Sequence, residues 1–256
     1  YKKRKGYAEA QVLETLVESP NAVDVCCKHY WICSKIQSLS YDEQIKEKSS
    51  QVEDAFVRLG GFLNFKLDKV QKANLIYHYR NKMEFTFSPN RWVLESEPEG
   101  VDKSFALGLH IPGRFDKILD IHNCHIQPEI GNKILAAARE VCLANPELRP
   151  YDPRSHIGFL RFLMLRFGVN TGDLMVNVVT SYHDIDKLSP LIDLLLEKFP
   201  EITSLVNNVN TRKADVAFGE YETLLYGKPF IQEKIGDLTF EISANSFFQT
   251  NTTQGE

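Results

Sequence analysis

No apolar run in this chain approaches the roughly 18–20 residues that a membrane-spanning helix needs; the most apolar stretches, residues 174–179 and 191–196, are far shorter. Cysteine is scarce and odd in number, five between Cys26 and Cys142, with no signal peptide before them. That usage argues against a secreted disulfide framework and predicts a reducing, cytoplasmic setting. A positive charge excess is missing too: 30 Lys and Arg against 34 Asp and Glu leave a net charge of -4, so any polyanion site has to be local. Lys2, Lys3, Arg4 and Lys5 form one such basic run. No Walker loop, G-x-G-x-x-G or G-x-S-x-G occurs, so no nucleophile or base is named by motif. What is present, 43% hydrophobic and 25% charged residues in 256, describes a globular chain able to bury a real core in one large or two ordinary domains. The chain opens on Tyr1 inside a strand-like stretch, and residues 245–256 read as the start of a helix, so a fragment of a longer protein is expected.

Period-two alternation predicts a half-exposed strand over residues 7–16, followed by a breaker cluster at Ser19, Pro20 and Asn21. Residues 41–59 fit a 3.6 period with Ile45, Val52, Ala55, Phe56 and Leu59 on one face, and Gly60 and Gly61 supply the stop. Strands are predicted over 77–87, with Met83, Phe85 and Phe87 on one side, and over 104–110. A second helix covers 129–143, with Cys142 on its inward face. Strands 157–167 and 173–180 are joined by the hairpin loop Gly168-Val169-Asn170-Thr171-Gly172. A third helix covers 188–199, and strands follow at 202–208, 221–226 and 238–242. Hairpins mixed with helices favour an α+β domain with antiparallel strands over a doubly wound sheet.

Cys27 and Cys33, with Cys26 adjacent and Cys124 far downstream, are candidate thiolate ligands for a soft metal or an iron-sulfur cluster, although such residues also serve as small buried hydrophobes. His110, His122 and His125 around Cys124 admit a zinc site or ordinary core and surface histidines. Arg80 and Lys82, and then Arg161 and Arg166, stand on predicted strands beside Tyr77, Phe85, Phe162 and Phe167. That pattern suits a surface that holds phosphates and stacks unpaired bases, and a solvated strand face looks similar.

The ordered set of motifs is the informative feature. It comprises Cys27 and Cys33 in C-x5-C spacing, then Gln37, Leu39, Tyr41, Glu43 and Gln44, then Tyr79-Arg80-Asn81-Lys82-Met83-Glu84-Phe85-Thr86-Phe87. Gly108-Leu109-His110-Ile111-Pro112-Gly113-Arg114-Phe115-Asp116-Lys117 leads to Ile121 and Cys124. Leu160, Arg161 and Arg166, Gly172-Asp173-Leu174-Met175-Val176 and Asn245-Ser246-Phe247-Phe248-Gln249-Thr250-Asn251 complete it. Together these resemble the RNA uracil-5-methyltransferases, most closely the bacterial 23S rRNA branch. The resemblance implies the end of a TRAM (OB-like) β-barrel at residues 1–20. It also implies an α+β middle domain over 21–228 with the cysteine segment and RNA-facing strands, and the start of a Rossmann-like methyltransferase domain at 229–256. It further implies S-adenosylmethionine as cofactor with Gln249 as a contact, and an RNA partner held by Arg80, Lys82, Arg161 and Arg166. The enzyme it implies is a cytoplasmic monomer that methylates uridine at C5, its reacting cysteine and base lying outside this chain. C5 of uracil is a poor nucleophile until a thiolate adds at C6, which is why such chemistry needs that cysteine.

The family's [4Fe-4S] pattern, C-x5-C-G-G-C with a distant fourth cysteine, matches at Cys27, Cys33 and Cys124; Ser34, Lys35 and Ile36 follow Cys33, and the third ligand is absent. That departure supports a competing reading, a non-catalytic RNA-binding module or decayed homologue. A third reading, a zinc-stabilised scaffold, rests only on the Cys and His cluster.

Overall fold

The computed structural model describes residues 17–94, 96–114, 116–214 and 216–256, together with the backbone of two short strands, β1 (Lys2–Arg4) and β2 (Tyr7–Glu9). These form two compact units, Tyr1–Lys72 and Ala73–Glu256. The division at Lys72 is a different partition from the one expected at residues 20 and 228.

In the first unit β1 and β2 pair antiparallel, with Lys3 opposite Ala8. Of the strand expected over 7–16, only Tyr7–Glu9 falls among the described residues. A single turn, α1 (Tyr30–Cys33), precedes α2 (Tyr41–Asp54), which runs on as a π-helical turn at Ala55–Leu59. Gly61 ends it at φ +68°, a left-handed backbone suited to glycine. The helix is where the periodicity puts it, but its expected inward stripe is exposed: Val52 is 42%, Phe56 45% and Leu59 88% accessible. Phe56 packs locally instead, its ring 5.9 Å from that of Phe62 and 5.2 Å from that of Phe65.

The second unit is built on strands β3 (Lys82–Ser88), β4 (Ala106–His110), β5 (Ile118–Asp120), β6 (Leu160–Phe167), β7 (Leu174–Thr180), β8 (Ser204–Val209) and β9 (Tyr221–Gly227). They form one seven-stranded sheet in the order β5-β4-β3-β6-β7-β8-β9. Every pairing is antiparallel except β7 with β8, which a helix spanning Ile185–Lys198 connects as a crossover. The expected α+β class with antiparallel strands is what forms. β6 and β7 are buried along their whole lengths, and Gly172 turns their hairpin at φ +79°. At Gly108 a Cβ would lie 1.9 Å from the Leu119 carbonyl oxygen, so only glycine lets β5 come this close to β4.

Helix α3 (Glu129–Ala144) precedes the crossover helix, α4, and buries Ile134, Leu135 and Ala138. Its Arg139 donates to the carbonyls of Leu107 and Ile121 and to Asp120, fastening the helix to β4 and β5. Cys142 is 6% exposed, and burial pushes its thiol up to about 12, which fits the structural role expected of it. A separate hairpin, β10 (Phe230–Ile235) with β11 (Leu238–Ser243), packs Ile231 and Ile242 with Met175, Val206 and Ala244. A final turn, α5 (Thr252–Gly255), is capped by Asn251, whose Oδ1 accepts from the Gln254 N–H. No helix among the described residues is long and apolar enough to cross a membrane.

Candidate cofactor and RNA interface

The chain from Ala244 to Thr252 has little regular structure of its own, so its carbonyls need partners from elsewhere. They find them on side chains rooted in the sheet. Arg166, on β6, donates from Nε and Nη2 to the Ala244 carbonyl at 3.2 and 3.0 Å, and from Nη2 to the Ser246 carbonyl as well. Asn81, just before β3, donates its amide N–H to Thr250 O and its Nδ2 to Gln249 O and Thr252 Oγ1, both at 2.8 Å. Asn245 Nδ2 reaches Asn208 Oδ1 at 3.1 Å.

Glu233 lies at the base of this arrangement, fully buried on β10. Its Oε2 accepts from the Val169 N–H at 2.7 Å and from Thr252 Oγ1 at 2.8 Å. Its Oε1 accepts from the N–H groups of Asn170 and Lys234, both at 2.9 Å. Four donors satisfy a carboxylate that burial would otherwise disfavour strongly. The carboxylate thereby joins the β6–β7 loop, the β10–β11 hairpin and α5.

The consequence is a rigid main chain with selected side chains directed outward. Phe248 packs against the cluster of Met175, Val206, Ile231 and Ile242 and lies 5.6 Å from the Phe240 ring. Its neighbour Phe247 is 86% exposed, and Gln249 is exposed also. A phenylalanine held outward on fixed backbone offers a flat apolar face to a planar ligand, and the Gln249 amide offers both a donor and an acceptor. Gln249, expected as a cofactor contact, is thus available for that role. Sequence reading missed Asn81, Glu233 and Phe247. Asn81 and Glu233 sit among charged neighbours that suggest a solvated strand, while Phe247 stood inside the motif that named Gln249.

The four residues expected to face RNA separate into two pairs. Arg161 is 2% and Arg166 3% exposed, and both donate to main-chain carbonyls: Arg161 to those of Asn210, Arg212 and Ala214, and Arg166 to those of Ala244 and Ser246. Burial also lowers the Arg166 pKa. These guanidiniums hold the fold together from inside, a correction to their expected place on a strand surface. Arg80 and Lys82 are partly exposed; Arg80 Nε donates to Lys82 O at 2.9 Å and Lys82 pairs with Glu84 at 2.5 Å. Both lie beside Asn81, at the same end of β3 as Gln249.

The expected metal ligands are divided between the two units. Cys33 is exposed and Cys27 half-buried in the first, whereas Cys124 is buried in the second with its N–H donated to Asn132 Oδ1. Among the described residues no three His, Cys, Asp or Glu side chains gather where they could hold a metal ion. His110 bonds Thr86 Oγ1 and His122 pairs with Asp120, each at 3.0 Å. With Ser34, Lys35 and Ile36 standing where the third cysteine would be, the donor set does not fit a four-thiolate cluster.

No protein-family model matches the chain. It is 41% identical over its whole length to an uncharacterized RNA methyltransferase of Chlorobaculum tepidum, covering 54% of that protein. It is 38% identical over 99% of its length to another of Porphyromonas gingivalis, covering 56%. Its fold matches 50% of the crystal structure of the Pyrococcus abyssi tRNA (uracil-54, C5)-methyltransferase in complex with S-adenosyl-L-homocysteine, over 93% of this chain, with a TM-score of 0.66 at 25% identity. Over its whole length the chain is thus similar to proteins named as RNA methyltransferases, and it spans about half the length of the curated relatives it matches.

Proposed function

We propose that this chain is the substrate-recognition part of an enzyme that methylates uridine at C5 in RNA, with S-adenosylmethionine as the methyl donor and 23S rRNA as the target. The observation that carries the proposal is the outward pair Phe247 and Gln249 on a main chain fixed by Arg166, Asn81 and Glu233. The likeness to a uracil-C5 methyltransferase that holds S-adenosyl-L-homocysteine supports it.

When bound, S-adenosylmethionine supplies an electrophilic methyl group on a sulfonium centre. Gln249 binds it by hydrogen bonding, and Asn81 fixes the backbone on which Gln249 stands, so little freedom is lost when the contact forms. The exposed Phe247 ring covers a planar base and excludes water from one of its faces. Arg80 and Lys82, at the same end of β3, supply positive charge for the phosphates around a base turned out of its stack. Thiolate addition and proton removal are assigned to the remainder of the length its relatives have, so this chain alone is expected to be inactive.

The test is incubation of the full-length protein with methyl-labelled S-adenosylmethionine and total RNA. Label recovered as 5-methyluridine in the 23S fraction supports the proposal. RNA binding without label would favour the non-catalytic module instead.

A further inference from the structure

A second basic and aromatic region lies at the other end of the strands. β3 runs from the Asn81 end, beside Gln249, to Ser88, and at about 3.3 Å per residue it separates its two ends by about 20 Å. At the far end is a cavity of about 400 Å³ lined by Thr86, Ser88, Lys103, Lys117, Arg154 and Tyr151, among others. A second, more open cavity of about 570 Å³ is lined by Arg149, Phe159, Tyr182, Lys187 and Lys213, and again by Tyr151. Tyr151 is therefore the wall the two cavities share.

The charge of this region is opposite to that of the whole chain. Five Lys and Arg side chains line the first cavity against two carboxylates, Asp116 and Asp152. In the second, Arg149, Lys187 and Lys213 face one, Glu147. Asp116 is shared by Arg154 and Lys117, and its carboxyl is held below the usual range chiefly by Arg154; the cations still outnumber the carboxylates of the lining. Arg149, Arg154 and Lys213 are exposed.

Aromatic faces are interleaved with these charges. The rings of Phe159 and Tyr182 lie 4.9 Å apart, and Tyr182 is 42% exposed. Lys187 Nζ sits 5.5 Å from the Phe159 ring and 5.4 Å from the Tyr182 ring and donates to Tyr182 Oη at 2.9 Å. Buried Arg161 stacks 4.4 Å from Tyr151 and holds the carbonyls of Asn210, Arg212 and Ala214, so it shapes the loop that carries Lys213. An exposed aromatic beside a lysine, in a cavity whose lining carries an excess of cations, is the combination that binds unpaired bases and their phosphates.

We propose that these two cavities form one groove for single-stranded RNA, in which Tyr182 stacks a base and Arg149, Arg154 and Lys213 contact phosphates, about 20 Å from the Gln249 segment. The assignment rests on the proposed RNA substrate and extends it: the groove grips nucleotides flanking the modified one. It gives Arg161 a positioning role in place of a direct contact.

The test measures affinity of the full-length protein for a single-stranded RNA oligonucleotide of mixed sequence as a function of salt. Replacing Arg149 and Lys213 together by alanine is expected to weaken binding and to flatten the plot of log affinity against log salt by about 0.7 for each phosphate no longer held. Tyr182→Ala is expected to lose about tenfold in affinity and Tyr182→Phe to retain it, since stacking needs the ring and not the hydroxyl. Thermal unfolding of each variant checks that it folds. Unchanged affinity and slope in the folded double variant and in Tyr182→Ala would overturn the groove while leaving the RNA substrate in place. No RNA binding by the unaltered protein would overturn the RNA substrate itself.

Discussion

Replacing Glu233 with glutamine keeps the side-chain volume and removes one charge at the junction that fixes the Gln249 segment. The carboxylate accepts four hydrogen bonds, from Val169 N, Asn170 N, Lys234 N and Thr252 Oγ1. A glutamine oxygen accepts two, and its NH2 group then points donors at donors. Two buried donors without acceptors cost about 1–3 kcal/mol each, so the substitution is expected to destabilise the second unit by about 2–6 kcal/mol. For a unit of this size that corresponds to a fall in Tm of at least about 4 °C. Urea denaturation of the unaltered protein, Glu233→Gln and the exposed control Glu241→Gln measures it. The control is expected to stay within about 0.5 kcal/mol. Equal midpoints for the two variants would refute the claim that Glu233 ties the hairpins to the terminal turn.

Asn81→Ala removes the side-chain bonds to Gln249 O and Thr252 Oγ1 and keeps the backbone bond to Thr250 O, and weaker S-adenosylmethionine binding by calorimetry is expected together with about 1–3 kcal/mol less stability. Phe247→Ala removes an 86% exposed ring, so stability is expected to hold within about 0.5 kcal/mol while RNA affinity falls; a large loss of stability would show that the ring packs instead. Native alkylation followed by peptide mass spectrometry is expected to label Cys26 and Cys33 first and Cys124 and Cys142 only on unfolding. The raised Cys142 pKa stabilises the folded chain below the unfolded thiol value of 9.0, and that contribution is lost as pH rises from there toward about 12. Urea midpoints that fall across this window, with a shallower fall in Cys142→Ala, would bear this out.

The β6–β7 hairpin was legible because its apolar run, its Gly168 and Gly172 boundaries and its loop length all require the same geometry. Helix α3 was legible for the similar reason that one 3.6-period face matches its buried residues. Strand β10 was missed because Gln232, Glu233 and Lys234 interrupt its apolar pattern, and the glutamate there is buried only by virtue of donors from distant loops. Arg161 and Arg166 misled for a related reason: charge suggests a surface until the carbonyls of residues 210–214 and 244–246 fold over it. Local sequence names Gln249 through its motif, whereas the long-range partners that fix its backbone, Asn81 across 168 residues among them, emerge only once the sheet has formed.

Whether the chain serves an enzyme that methylates uridine in 23S rRNA is decided by nucleoside mass spectrometry of 23S rRNA and tRNA from cells with and without the intact gene for the full-length protein. One 5-methyluridine in 23S rRNA is expected to disappear with the gene and to return with an unaltered copy. Unchanged 5-methyluridine in both RNAs, or loss of a different modified nucleoside, would refute the assignment.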